Sequence, residues 1–76
     1  MRVAVFSTKN YDRQFLQPAA NSAGHELVFF EPRLTLETVV LGSGFPAICP
    51  FVNDRLNAEV LMRLAKGGTK FIALRL

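Results

Sequence analysis

The stretch Phe45-Pro-Ala-Ile-Cys-Pro-Phe-Val-Asn-Asp54 decides how the rest of this chain is interpreted. Its first half is apolar and its second half turns polar, a pattern typical of a buried strand that opens into a loop at its carboxyl end. Open α/β sheets bind ligands just outside the carboxyl ends of their strands. The pattern therefore predicts that Phe51 lies where a ligand can touch it, with Asn53 and Asp54 in the adjoining loop.

Outward from this stretch, short apolar runs alternate with helical patterns along the whole chain. Strands are predicted at residues 2–6, 26–31, 47–51 and 71–74, and helices at residues 11–23, 34–41 and 56–66. The alternation of strands and helices predicts a parallel sheet with right-handed crossovers. We expect a flavodoxin-like α/β domain with the order βαβαβαβ and the spatial strand order 2-1-3-4.

The ends of the helices are predicted from capping residues. Residues 7–10 are rich in side chains that cap helices with an oxygen atom, so they precede the first helix, and Gly24 ends it in a left-handed conformation. Thr35 is expected to cap the second helix. Asp54, expected to be exposed in its loop, is predicted to cap the third, with Asn57 as the alternative.

Two prolines and one apolar face carry further expectations. Pro18 lies inside the first helix, where proline removes a hydrogen bond, so a kink or a break is expected there. Pro50 lies inside the third strand and predicts a bulge that re-aims Phe51. The first helix is predicted to have an apolar face at four-residue spacing, formed by Tyr11, Phe15, Ala19 and Ala23.

Composition limits the class of protein. The chain has 76 residues, half of them apolar, which predicts one small globular domain. Neither a membrane-spanning run nor a secretory signal is apparent, and no membrane association is expected. The single Cys49 excludes an intrachain disulfide and favours a reduced, cytoplasmic setting. The net charge is +3, but the basic residues are scattered, so nucleic-acid binding is not expected.

Isolated residues suggest chemistry only weakly. His25 is the one histidine, and a surface or capping position is expected for it. Cys49 is expected to be a buried small hydrophobe rather than a nucleophile. Arg75 follows the fourth strand and could pair with a loop carboxylate or with a ligand carboxylate. The residues alone therefore predict a pocket at Phe51, Asn53 and Arg75, with no catalytic set and no metal site.

Two alternatives stay open. A flavodoxin binds phosphate at the loop after its first strand, but residues 7–10 contain no glycine, so helix capping is favoured over binding of flavin or a phosphate ligand. The fourth strand is predicted to leave an apolar edge uncovered, which favours association. A self-associating interaction module is therefore the second functional hypothesis, and the chain is expected to be truncated after this strand.

Several segments in one register resemble a known family. They are Val3-Ala-Val-Phe-Ser-Thr-Lys-Asn-Tyr-Asp-Arg-Gln-Phe15, Leu34-Thr35 with Glu37-Thr38, Phe51-Val-Asn-Asp54 and Thr69-Lys-Phe-Ile-Ala-Leu-Arg75. Together they are similar to the N-terminal region of the D-isomer-specific 2-hydroxyacid dehydrogenases, in particular the bacterial fermentative D-lactate dehydrogenases. The resemblance spans the whole chain.

The resemblance implies a two-domain enzyme that reduces pyruvate to D-lactate with NADH. Residues 1–76 would be the N-terminal part of its substrate domain, without the NAD-binding Rossmann domain and without the catalytic histidine, glutamate and arginine. The chain alone is therefore expected to be inactive and to bind no cofactor. By the resemblance, Phe51 packs against the substrate side chain, and Arg75 precedes a loop whose amides meet the substrate carboxylate. Leu76 departs from the small or polar residue usual there.

Overall fold

The computed structural model describes residues 1–51, 54 and 56–75, with Tyr11 described by its backbone alone. Its elements follow one another as β1 (Arg2–Val5), α1 (Asn10–Ala23), β2 (Glu26–Phe29), a 3₁₀ helix (Val39–Gly42), β3 (Ala47–Cys49), α2 (Ala58–Lys66) and β4 (Phe71–Ile72). All the strand pairs are parallel, and the sheet has the order β2-β1-β3-β4. The predicted fold class and strand order are confirmed.

The core lies against the two central strands. Ala4 and Phe6 come from β1 and the residue after it, and Ile48 comes from β3. The other buried members of the core are Leu34, Val39, Phe45, Val60 and Leu64. Burial of apolar side chains on a central strand explains why β1 and β3 read as continuous apolar runs, as strands of parallel sheets do.

Helix α1 confirms its predicted length but not its predicted face. Gly24 ends it with a φ of 77°, in the left-handed region that favours glycine. The helix runs through Pro18 without a break. Phe15 is 82% exposed, and Ala19 and Ala23 are exposed as well. The sheet is faced instead by the row one residue further along, which includes the buried Ala20, because both rows have the same spacing and only tertiary packing chooses between them.

The predicted second helix is wrong, because residues 36–38 form a turn and only Val39–Gly42 is helical, as a 3₁₀ helix. Thr35 Oγ1 does accept a bond from the Thr38 backbone N–H at 3.3 Å, as a cap would. The Thr38 hydroxyl, however, donates to the Arg33 carbonyl oxygen at 2.6 Å. Threonine side chains that bond nearby backbone in this way compete with a regular helix.

The bulge predicted at Pro50 is also wrong. Ala47 of β3 lies opposite Phe71 of β4, and Phe51 lies opposite Arg75 in a further parallel bridge. The offset is therefore the same before and after Pro50, whereas a bulge would add a residue to one strand. The Pro50 carbonyl oxygen accepts from the Arg75 N–H at 3.0 Å, so the pairing with the fourth strand continues past the proline.

Helix α2 begins later than predicted and is capped by the alternative residue. Asn57 Oδ1 accepts from the Val60 N–H at 3.0 Å, so Asn57, not Asp54, is the cap. Val60 and Leu64 face the core, as their spacing predicts. Within the described part of the chain, neither α2 nor any other helix is long and apolar enough to cross a membrane.

Candidate functional site

A crevice opens at the carboxyl ends of β1 and β3, where parallel α/β sheets bind ligands. Its volume is about 580 Å³, and its lining consists of Ser7, Thr8, Lys9, Asp12, Glu31, Arg33, Phe51 and Asp54. Phe51, predicted at the end of the third strand, is among the residues that line this crevice. The half-buried ring gives the crevice its apolar wall.

Ser7 turns the chain from β1 into the crevice. Its φ is 54°, the one positive φ among the described non-glycine residues. Non-glycine residues rarely adopt this conformation, and they persist in it only when neighbouring bonds hold them. The Ser7 N–H donates to the Pro32 carbonyl oxygen at 2.9 Å, and its hydroxyl donates to Asp54 Oδ1 at 2.5 Å.

Asp54 is a buried carboxylate rather than the exposed loop residue that was predicted. Its side chain is 1% exposed, and Arg33 Nε lies 4.0 Å from Oδ1. Besides the Ser7 hydroxyl, it accepts a bond at Oδ2 from the Phe51 N–H at 2.9 Å. A buried carboxylate is tolerated when it is paired and hydrogen-bonded in this way. Asp54 thus joins the end of β1 to the end of β3.

Arg75, predicted to be part of the pocket, is not among the described residues that line the crevice, but its side chain contacts several groups at the strand ends. One of its terminal nitrogens, Nη1, donates to the carbonyl oxygens of Phe6 at 2.9 Å and Cys49 at 3.2 Å. The other, Nη2, donates to the Ser7 carbonyl oxygen at 3.1 Å. Arg75 Nε lies 3.8 Å from Asp12 Oδ1, and the arginine side chain is only 12% exposed. The carboxylate predicted to pair with Arg75 is therefore in the first turn of α1 rather than in a loop.

Phe51 and Arg75 are neighbours in two ways. They lie opposite each other in the parallel bridge, and the guanidinium carbon of Arg75 is 5.5 Å from the centre of the Phe51 ring. This separation is within the range of a cation–π contact. The third member of the predicted pocket, Asn53, lies outside the described residues, as does Leu76.

The loop of residues 7–10 does not cap α1 with its hydroxyl groups, contrary to expectation. The Thr8 hydroxyl donates back to the Val5 carbonyl oxygen at 2.8 Å. Lys9 is the N-cap residue, and its N–H donates to Asp12 Oδ2 at 2.8 Å. A carboxylate thus already occupies the positive end of α1, which opposes the binding of a phosphate there. These residues do not fit the phosphates of flavin or of a dinucleotide.

The two other residues considered from the sequence lie outside the lining of the crevice. His25 is exposed and precedes β2, at the amino ends of the strands. Cys49 ends β3, is half-buried, and has its Sγ 3.9 Å from Arg75 Nη1. Neither position suggests acid–base or nucleophilic chemistry in the crevice.

Sequence reasoning missed Asp12 and Arg33 as parts of the site. Asp12 was noticeable only as an acidic residue in the first turn of a helix, although a helix that follows a strand directly starts beside that strand's carboxyl end. Arg33 had no signal, because its position depends on the path of the irregular segment after β2.

The fold is that of a parallel α/β domain, with a crevice at the carboxyl ends of its strands. The sequence profile of the D-isomer specific 2-hydroxyacid dehydrogenase catalytic domain matches residues 3–76. The chain belongs to this family.

Curated relatives and solved structures agree with this assignment. A 2-hydroxyacid dehydrogenase homolog of Zymomonas mobilis is 51% identical over 75 residues, and the D-lactate dehydrogenase of Escherichia coli is 48% identical over 75 residues. Each alignment covers 99% of this chain and 23% of the relative. The Salmonella D-lactate dehydrogenase structure has a TM-score of 0.93 at 46% identity, over 97% of this chain and 22% of that one. The chain thus spans about a quarter of the length of these relatives.

Proposed function

We propose that this chain forms one wall of the substrate crevice in an NAD-dependent D-lactate dehydrogenase that reduces pyruvate. The observation that carries the proposal is the placement of Phe51 at the strand ends, in a chain that resembles D-lactate dehydrogenases over nearly its whole length. The Phe51 ring would pack against the methyl group of pyruvate. Closure of such a wall excludes water from the transfer of hydride.

The charges of the wall argue against recognition of the substrate carboxylate by this wall. Of the described charged residues that line the crevice, Lys9 and Arg33 are basic, whereas Asp12, Glu31 and Asp54 are acidic. A lining whose described residues carry no excess of positive charge has no net attraction for the carboxylate of a 2-keto acid. We therefore assign shape recognition to this wall and recognition of the substrate carboxylate to residues beyond it.

Binding of NAD is also assigned to other parts of the enzyme. The Asp12 carboxylate lies at the start of α1, where a dinucleotide phosphate would otherwise bind. A D-lactate dehydrogenase from Lactobacillus jensenii, with a TM-score of 0.83 and 28% identity to this chain, has been solved with NAD⁺. We propose that this chain depends on a separate NAD-binding domain, that it does not reduce pyruvate alone, and that the enzyme acts in the cytoplasm.

A graft tests this proposal. The 75 residues of this chain that align with the E. coli D-lactate dehydrogenase would replace their counterparts in that enzyme, and oxidation of NADH with pyruvate would be followed. We expect the graft to retain kcat/KM within about tenfold of the parent, since the hydride-transfer residues are unchanged. The isolated chain serves as the control and should show no turnover.

Two outcomes would contradict the proposal. A graft that melts like its parent but does not reduce any 2-keto acid would show that this wall belongs to a different activity. Turnover of pyruvate by the isolated 76-residue chain would show that the chain itself holds the catalytic groups.

Self-association is the second candidate function, and the edge of the sheet favours it. Strand β4 pairs with β3 on one side, and in the described part of the chain no strand pairs with its other side. Phe71 is 58% exposed and Leu74 is 55% exposed. An exposed apolar edge strand is a template for pairing with another chain.

Sedimentation of the 76-residue chain over a range of concentrations tests this candidate. We expect a concentration-dependent dimer that Ile72→Lys converts to a monomer, because a charged residue on an edge strand opposes pairing. Leu61→Lys, on the exposed side of α2, is the matched control and should leave the dimer intact. A chain that stays monomeric at the highest concentration would contradict the candidate.

A further inference from the structure

Arg75 has little of its guanidinium group left for a ligand. Three of its contacts are backbone carbonyl oxygens at the ends of β1 and β3, and a fourth is the Asp12 carboxylate. A carbonyl oxygen has two lone pairs, so the Cys49 oxygen accepts from both the Phe6 N–H and Arg75, and a planar group with five N–H donors suits several carbonyl oxygens at once. The arginine therefore ties two neighbouring strands to the start of α1.

The same arginine holds Phe51 from one side. Its backbone N–H bonds the Pro50 carbonyl oxygen at 3.0 Å, which fixes the residue next to Phe51. Its guanidinium carbon lies 5.5 Å from the centre of the ring. From the other side, Asp54 Oδ2 accepts the Phe51 N–H. Both the backbone and the ring of Phe51 are thus held by charged groups that are themselves mostly buried.

We propose that Arg75 is a positioning residue, which fixes the Phe51 ring and so sets the size of the side chain that the crevice accepts. The inference rests on the proposed function, in which Phe51 packs against the substrate side chain. In this inference, Arg75 does not contact the substrate directly but acts on it through Phe51. Selectivity between substrates of different size is the property that Arg75 controls.

A fluorescence experiment tests the coupling without any activity. The chain has no tryptophan, so Phe51→Trp places a single reporter in the crevice of the 76-residue chain. We expect Arg75→Met to shift the emission to the red and to increase quenching by acrylamide, because the ring is released towards water. Arg63→Met is the matched control, since Arg63 is a surface residue that pairs with Glu59, and it should leave both readings unchanged.

Kinetics of the E. coli graft test the consequence for selectivity. The ratio of kcat/KM for pyruvate to that for 4-methyl-2-oxopentanoate would be measured with and without Arg75→Met. We expect the ratio to fall about tenfold, the size of a discrimination made by an apolar pocket, with a smaller change in kcat for pyruvate. Arg75→Lys should behave like Arg75→Met, because an ammonium group cannot bridge three carbonyl oxygens in a plane.

The outcomes separate this inference from its alternatives. An equal loss of kcat/KM for both substrates would indicate that Arg75 binds their common carboxylate directly. An unchanged ratio of the two kcat/KM values with a lowered melting temperature would indicate a purely structural role. Each of these two results would overturn the inference. So would full recovery of the ratio by Arg75→Lys, or an unchanged emission from the tryptophan reporter. An inactive graft in which Arg75→Met still releases the reporter would instead refute the proposed function and retain the coupling.

Discussion

Ser7 combines a strained backbone with a hydrogen bond to a buried charge. Its φ of 54° is unfavourable for a residue with a Cβ, and its hydroxyl is one of the groups that satisfy Asp54. Three bonds hold it, through its N–H, its hydroxyl and its carbonyl oxygen. The strain is therefore maintained by the same network that fixes Phe51.

A pair of substitutions separates the strain from the hydrogen bond. Ser7→Ala and Ser7→Gly both remove the hydroxyl, and each should lower the free energy of unfolding by about 1–3 kcal/mol. Glycine relieves the strain but gains more freedom in the unfolded chain, so Ser7→Gly should be more stable than Ser7→Ala by about 0.5–1 kcal/mol. Urea unfolding measures both free energies. An alanine variant as stable as the glycine variant would show that the Ser7 backbone is not strained.

The residues of the site were predictable to different degrees. The position of Phe51 followed from local sequence, because an apolar run that turns polar marks the end of a buried strand. The burial of Asp54 did not follow, since it depends on a contact with Ser7, 47 positions away in the chain. The contacts of Arg75 likewise require β1, β3 and α1 to be in place. Local patterns locate a site, whereas its internal bonds depend on tertiary structure.

At the scale of the elements, the strands and the carboxyl end of α1 were easier to predict than the buried face of α1. Gly24 marks the end of α1 because only its conformational freedom matters there. The prediction of the buried face of α1 was wrong because two rows of apolar and small residues have the same spacing along the helix. The segment before β3 became a turn and a 3₁₀ helix because Thr35 and Thr38 bond their neighbours. Competition between side-chain and helical hydrogen bonds leaves little signal in the sequence pattern, although it determines the structure of this segment.

Pro18 gives a prediction for α1. It lies at an exposed position inside the helix, where it leaves the Gln14 carbonyl oxygen without a helical donor. Pro18→Ala should restore this bond and raise the free energy of unfolding by about 2 kcal/mol, after allowance for the more flexible unfolded chain. The corresponding rise in melting temperature is about 10 °C for a domain of this size.

Ser22→Ala is the control for Pro18→Ala, because Ser22 is exposed on the same helix. This substitution changes helix propensity alone and should alter the free energy of unfolding by less than about 0.5 kcal/mol. Equal melting temperatures for Pro18→Ala and the unmodified chain would mean that tertiary packing, not the missing donor, limits the stability of α1.

For the whole molecule, the strand order followed from the sequence because connectivity leaves few choices. Parallel strands joined by right-handed crossovers can be arranged in few ways, and a switch of direction after β2 gives the observed order β2-β1-β3-β4. The same topology puts β1 and β3 side by side, so the crevice forms between the loops that follow them. Fold and site location are thus consequences of one alternating pattern.

The small core should make the whole molecule sensitive to single deletions on its inner side. Two leucines of α2 provide a matched comparison, since Leu64 is 2% exposed in the core and Leu61 is 40% exposed. Leu64→Ala should lower the free energy of unfolding by about 2–5 kcal/mol through lost burial and a residual cavity. Because a domain of 76 residues is stable by only about 5 kcal/mol, this variant should retain at most about 3 kcal/mol of stability and should melt at a much lower temperature. Leu61→Ala should lower the free energy of unfolding by less than about 1 kcal/mol. Thermal unfolding followed by circular dichroism measures both variants. Similar unfolding of the two would mean that α2 does not bury the face that carries Leu64.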